Sequence, residues 1–181
     1  MILTLDRLIL REFVTTDWRA VHEYASDPKV VQYVDWGPNE ENDTRTFVQR
    51  AVGYQRDRQR RDYELAIVLK ENDRLIGGCA LRIPEPEHRQ GSIGYALRPD
   101  MWSRGYATEA ARGLVTFGFT QLKLHRIFAT CDPDNVASAR VMEKIGMRRE
   151  AHLREHKWMK NRWRDSLVYG VLENEWGTMS V

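Results

Sequence analysis

The run Arg98-Pro99-Asp100-Met101-Trp102-Ser103-Arg104-Gly105-Tyr106-Ala107-Thr108-Glu109 carries the sharpest chemical signal in the sequence. A strand ends, a short loop turns, and a helix begins at or near Gly105. The first turn of a helix has backbone N–H groups without partners inside the helix, and they hold the positive end of its dipole. Gly105 allows a tight turn and a close ligand approach, Ala107 is small for the same reason, and Arg104 adds a full charge. Such a turn suits a diphosphate. It is neither a Walker loop nor a dinucleotide fingerprint, because Gly-Lys-Ser/Thr and Gly-x-Gly-x-x-Gly are both missing. The alternative is an ordinary tight turn with a solvent-facing arginine.

A second group follows the next strand, in Asp132-Pro133-Asp134-Asn135-Val136-Ala137-Ser138-Ala139-Arg140. Asn135 is a good helix cap, and Ser138 lies in the same first turn. Both can point to the carboxyl edge of the sheet, where the phosphate turn also lies and where ligands of open sheets bind. Simple capping is the alternative.

The elements that must position these residues follow from periodicity and punctuation. Leu3 to Arg11 reads as a first strand, and Thr15 to Ala25 as a helix capped by Thr15 or Thr16 and stopped at Asp27-Pro28. Tyr33 to Asp43 is a loop, and Thr44 to Arg61 a helix. Tyr63 to Leu69 and Leu75 to Ile83 form a hairpin turned at Glu71-Asn72-Asp73. Gly91 to Leu97 is a strand, Gly105 to Leu122 a helix, His125 to Cys131 a strand, and Asn135 to Ile145 a helix ended by Gly146. Ala151 to Met159 and Arg164 to Leu172 close the chain as strands. The unit from Gly91 to Cys131 is βαβ, so it forces a parallel pair into a sheet otherwise built from hairpins. The expected fold is α+β: a mixed, mostly antiparallel sheet flanked by helices.

The 181 residues suit one domain, 1–181, with a substantial core. A net charge of +2 announces neither a nucleic-acid nor a membrane partner. Cys79 and Cys131 sit in apolar strands and read as small buried hydrophobes rather than a disulfide. Signal-peptide layout and a membrane-length apolar run are both absent, so the expected compartment is the cytoplasm. No metal is expected.

With these residues in order, the chain resembles the GCN5-related N-acetyltransferase superfamily, and within it the Rim-type branch that acetylates ribosomal-protein N-termini. The likeness is carried by Thr4 to Arg11, Ile93-Gly94-Tyr95, Gly105-Tyr106-Ala107-Thr108-Glu109-Ala110, Asn135-Val136-Ala137-Ser138, Glu143-Lys144-Ile145-Gly146-Met147, Asp165, Tyr169 and Glu175-Trp176. It implies acetyl-coenzyme A as acyl donor. The diphosphate cradle would fall on the backbone N–H groups of Ser103, Arg104, Gly105, Tyr106, Ala107 and Thr108. Pantetheine contacts would fall on the main chain of Ile93, Tyr95, Ala96 and Leu97, where two parallel strands splay to admit the thioester. Asn135 and Ser138 match residues that touch the coenzyme arm. Three positions depart from the superfamily pattern. Trp102 stands where Gln or Arg often opens the cradle, Met142 where many members have a tyrosine acid, and Ser92 where many have a base.

The expected reaction is attack of a neutral primary amine on the thioester. A base must first take a proton, since a lysine-like amine is mostly protonated at pH 7. Glu150 is the candidate base, with His152, Glu155 and His156 as rivals. Ser138 is the candidate to assist the leaving sulfur, and the Tyr95 or Ala96 N–H to hold the oxyanion. Tyr33 and Trp36, in the early loop, are expected to face the acceptor. The acceptor is a protein N-terminus or a small-molecule amine, and by analogy the protein is a homodimer. A non-catalytic acyl-coenzyme A sensor on the same fold is one rival. An RNA-associated protein using Trp158, Lys160, Arg162, Trp163 and Arg164 is another.

Overall fold

The computed structural model describes residues 1–176. Eight strands form one sheet in the order β1-β2-β3-β4-β5-β6-β8-β7. They are β1 (Ile2–Thr4), β2 (Leu8–Glu12), β3 (Asp62–Leu69), β4 (Leu75–Arg82), β5 (Gln90–Leu97), β6 (Arg126–Cys131), β7 (Arg148–Met159) and β8 (Arg162–Leu172). The helices are α1 (Trp18–Ala25), α2 (Glu41–Tyr54), α3 (Tyr106–Thr120), α4 (Val136–Lys144) and the short α5 (Glu173–Trp176). Among the described residues, no helix is long and apolar enough to cross a membrane.

Two apolar clusters sandwich the sheet. Phe13, Val21, Tyr24, Val48 and Ala51 pack with Ala66 and Val68 of β3, under α1 and α2. Ala110, Ala111, Leu114 and Phe117 of α3 pack with Leu65, Leu81, Ile93 and Ile127 on the opposite face. The middle of β3 is therefore buried without a break from Glu64 to Leu69, as a central strand covered on both faces must be.

The expected mixed sheet is present, and the differences are local. Leu3 to Arg11 is not one strand but the hairpin β1–β2, closed by the Leu5 N–H donating to the Leu8 carbonyl at 2.9 Å. Asp6 and Arg7 occupy its turn because the Arg7 side chain is drawn to Glu109 of α3. The helix expected from Thr15 is a 3-10 turn, Thr15–Asp17, leading into α1. Its cap is the Asp17 carboxylate on the Val14 N–H (2.9 Å), not a threonine hydroxyl. The α2 helix starts at Glu41, earlier than Thr44, because Asp43 caps the Glu40 N–H at 2.9 Å, and it ends at Tyr54 rather than Arg61.

The parallel pairing of β5 and β6 covers only Gln90, Gly91 and Ser92 against Arg126, Ile127 and Phe128. Both strands run on, to Leu97 and Cys131, without pairing. The sheet therefore opens as a wedge toward the carboxyl ends of these two strands, while β4–β5 and β6–β8 stay paired on either side.

Candidate active site

The turn expected to bind phosphate lies at the carboxyl end of β5. After Leu97 the chain makes a 3-10 turn at Pro99–Met101 and reaches Gly105, whose φ of 82° places it in the left-handed region that glycine occupies without penalty. Helix α3 starts directly after it. Among the described residues, no hydrogen bond is donated by the backbone N–H groups of residues 103–108. A concentration of unpaired donors at a helix start is the arrangement that accepts an anion. Arg104 is exposed and makes no ion pair among the described residues, so its charge is available there. Trp102 turns its indole N–H to the Leu97 carbonyl at 2.8 Å. It braces the loop against the end of β5.

Arg7 was read only as part of a strand, yet it organises this turn. Its guanidinium pairs with Glu109 (2.8 Å), donates to the Arg104 carbonyl (3.0 Å) and lies over the Tyr106 ring at 4.6 Å. A Cβ on Gly105 would stand 3.3 Å from Arg7 Nη2. Glu109 in turn accepts the Arg7 and Leu8 N–H groups at 2.7 and 3.1 Å. The β1–β2 turn is thus clamped to the first turn of α3. Arg7→Ala is expected to weaken coenzyme A binding by roughly fivefold, about the worth of one partly exposed charged contact. Titration calorimetry on the variant checks this.

The wedge is lined by β5. The Arg98 N–H donates to the Ile76 carbonyl at 3.0 Å, which fixes the phase of the β4–β5 ladder. Ala96 and Gly94 therefore pair their backbone groups with β4, and those of Ile93, Tyr95 and Leu97 point to the unpaired edge. Of the two amides expected for the oxyanion, Tyr95 is aimed into the wedge and Ala96 away from it.

Across the wedge, Asn135 caps α4 by accepting the Ser138 N–H at 3.1 Å. This is the expected cap, and it orients the first turn of α4 toward β5. The Ser138 hydroxyl lies 3.1 Å from the Tyr95 phenol, which also reaches the Ser138 carbonyl at 3.2 Å. Burial pushes the Tyr95 phenol well above its ordinary range, against the opposing effect of the Ser138 hydrogen bond. Tyr95 stays protonated at neutral pH and orients the serine. Sequence reasoning assigned Tyr95 a main-chain role only. Met142, where the superfamily often has its tyrosine, is fully buried in the core.

Of the base candidates, Glu150 and His156 lie on the α1/α2 face of the sheet and His152 on the other. Glu150 sits at the bulge of β7 and folds over Gly170 of β8, where a Cβ would strike its carboxylate. It is ion-paired with Arg126 of β6. His156 reaches the Ser166 hydroxyl at 3.0 Å. His152 binds Asp165 at 2.6 Å, and Asp165 also accepts the Glu155 N–H at 2.8 Å. These two hydrogen bonds, the backbone one first, hold the Asp165 carboxyl below its usual range. His152 and Asp165 share a face with Leu167, which belongs to the α3/α4 core, so they stand apart from Glu150.

Tyr33 and Trp36 do meet the closing hairpin. The Arg164 guanidinium lies 5.8 Å from the Tyr33 ring and pairs with Asp132 at 2.7 Å, both partners buried. Lys160 donates to the Gly37 carbonyl at 2.7 Å. Asp132 directly follows β6, so this network stands at the wedge mouth. Trp158 and Trp163 cross edge-to-face on the exposed tip with ring centres 5.5 Å apart.

Both cysteines are free and buried, as expected. Burial, with a smaller effect of Asp132, pushes the Cys131 thiol up to about 11. Cys79 is driven higher still, by burial and then by Glu64. Neither supplies a thiolate nucleophile at neutral pH.

A helix start offering free amides opens beside a wedge between parallel strands, an arrangement able to take an anionic ligand with an extended arm. Residues 7–148 match the family model for the acetyltransferase (GNAT) domain. The chain belongs to that family and is an acyltransferase. It is 39% identical over 176 residues to an uncharacterized N-acetyltransferase, YnaD, of Bacillus subtilis (strain 168), covering 97% of this chain and 99% of that one. A crystal structure of a GNAT-family acetyltransferase from Bacillus anthracis superposes with a TM-score of 0.87 at 39% identity, covering 97% of this chain and 100% of that one. A ribosomal L7/L12 α-N-protein acetyltransferase, RimL, solved with coenzyme A, shares the fold at a TM-score of 0.85 and 21% identity, with coverage of 95% and 98%.

Proposed function

We propose that the protein transfers the acetyl group of acetyl-coenzyme A to a primary amine, by direct attack and without an acyl-enzyme. The observation that carries this reading is the set of undonated amides at residues 103–108, placed where the β5–β6 wedge opens. The coenzyme supplies an activated thioester. Residues 103–108 would hold its diphosphate, and the free edge of Ile93, Tyr95 and Leu97 would pair with its amide-bearing arm as an added strand does.

The chain's own groups then have distinct tasks. The Tyr95 N–H offers a fixed donor for the developing oxyanion. The Ser138 hydroxyl, steadied by the Tyr95 phenol, offers a hydrogen to the departing sulfur. Glu150 takes the proton from the acceptor, directly or through water. The raised Cys131 thiol supports direct attack, since it is neutral and a poor acyl carrier. The acceptor is the N-terminus of a protein, as the Rim-type resemblance implies, or a small molecule with the same amine. The test is thiol release from acetyl-coenzyme A over a panel of amines, with acetylated products weighed by mass spectrometry.

Glu150→Gln is expected to lower kcat about 100-fold at neutral pH, a usual contribution of a positioned base. The deficit should narrow as pH rises and the amine loses its proton unaided. A near-wild-type rate at pH 7 would remove Glu150 from the role.

A further inference from the structure

One buried carboxylate plays no part in this mechanism. Glu64 stands in the middle of β3, and its side chain is only 8% exposed. It is paired with Ala80 on β4, which is paired with Gly94 on β5. The three form one row across the sheet, on the face of α1 and α2. Gly94 is two residues past Ser92, the last β5 residue paired with β6. The row therefore ends at the edge of the wedge, about 10 Å from the Glu64 backbone.

Ala80 and Gly94 carry almost no side chain, and a Cβ on Gly94 would meet nothing within 4 Å. In the adjacent row, Ala66-Gly78-Ala96, a Cβ on Gly78 would stand 2.9 Å from the Tyr24 hydroxyl and 3.3 Å from the Phe13 ring. Gly94 is partly exposed and Ala80 only 5% exposed, so the row opens at its wedge end.

The charge along this row is one-sided. Arg82 donates from Nε (3.1 Å) and Nη2 (2.6 Å), but both bonds go to Glu64 Oε1. Oε2 takes no hydrogen bond from the described residues. Asp62 lies 3.8 Å from Arg82, and Asp35 adds a further negative charge. Burial works against the Arg82 charge, but these three carboxylates outweigh it and hold the guanidinium above its ordinary range. Three acids around one base leave a surplus that favours a cation.

We propose that Glu64 receives the alkylammonium of the acceptor, which reaches the wedge along the Ala80–Gly94 floor from the side opposite α3. This rests on the acetyl-transfer reading and deepens it. Glu64 acts as a specificity determinant for a cationic primary amine on a slender arm, and Gly94 is the opening that admits it.

Calorimetry with two thioethers of coenzyme A tests this, one bearing an aminobutyl and the other a butyl arm. The aminobutyl nitrogen is charged at pH 7. Wild type should bind the aminobutyl compound about tenfold tighter, as a charged hydrogen bond allows. In Glu64→Gln, which still accepts an Arg82 hydrogen bond, the preference should shrink to about twofold or less, with the butyl compound bound as before. Gly94→Val, which leaves Glu64 intact and fills the opening, should also lose the preference. The proposal is overturned if wild type shows no preference, if Glu64→Gln keeps it, or if Glu150→Gln abolishes it instead. Failure of the wild type to take up either thioether would overturn the coenzyme reading itself, and this inference with it.

Discussion

Gly105→Asp is expected to weaken coenzyme A binding about 100-fold relative to Gly105→Asn, the scale of a like charge set within several ångströms of a diphosphate. The pair is chosen for its backbone. Gly105 has a φ of 82°, and Asn and Asp are the residues that best tolerate this region after glycine. Both variants therefore keep the start of α3, and both place a similar side chain toward Arg7. Only one brings a negative charge to the turn. If that carboxylate is drawn to Arg7, it also neutralises a cation that borders the cradle. Equal affinities of the two variants, measured by calorimetry, would show that the anion sits elsewhere.

Ser138→Ala is expected to lower kcat by roughly 30-fold while leaving the KM for acetyl-coenzyme A nearly unchanged, somewhat below the range for a full general acid. The leaving thiolate is a moderately good leaving group, so assistance helps without being indispensable. Tyr95→Phe removes the phenol that steadies Ser138 but not the N–H of residue 95. Its loss in kcat should be smaller, about tenfold or less, and the double variant should fall little below Ser138→Ala, because the two act as one unit. Steady-state kinetics on the three proteins checks this. A rise in KM with kcat untouched would instead make Ser138 a coenzyme-binding group.

The legibility of these residues differs for physical reasons. The strand-to-helix turn at Gly105 could be read because its features are contiguous: a strand, a glycine and a helix start within a dozen positions. The splaying was implied only by the family resemblance; the parallel pair itself followed from the βαβ order, which forces one such pair into an antiparallel sheet. Its extent did not, since nothing local says that pairing stops after Ser92 and Phe128. Arg7 was missed because its partner, Glu109, is 102 residues away. Its turn lies in an apolar run that imitates a continuous strand. The link between Tyr95 and Ser138 spans 43 residues and depends on how α4 leans toward the splayed edge. Glu64 left no signal, because one acid in an apolar strand looks the same whether it faces solvent, a guanidinium or a ligand. Its neighbours Ala80 and Gly94 become meaningful only once strand register puts them in a row.

Backbone amide chemical shifts, followed by NMR as coenzyme A is added, probe the anion cradle at the level of single N–H groups. The largest movements should fall on residues 103–108, with a second set at Ile93, Tyr95 and Leu97. Saturable binding that leaves residues 103–108 unmoved would contradict the account.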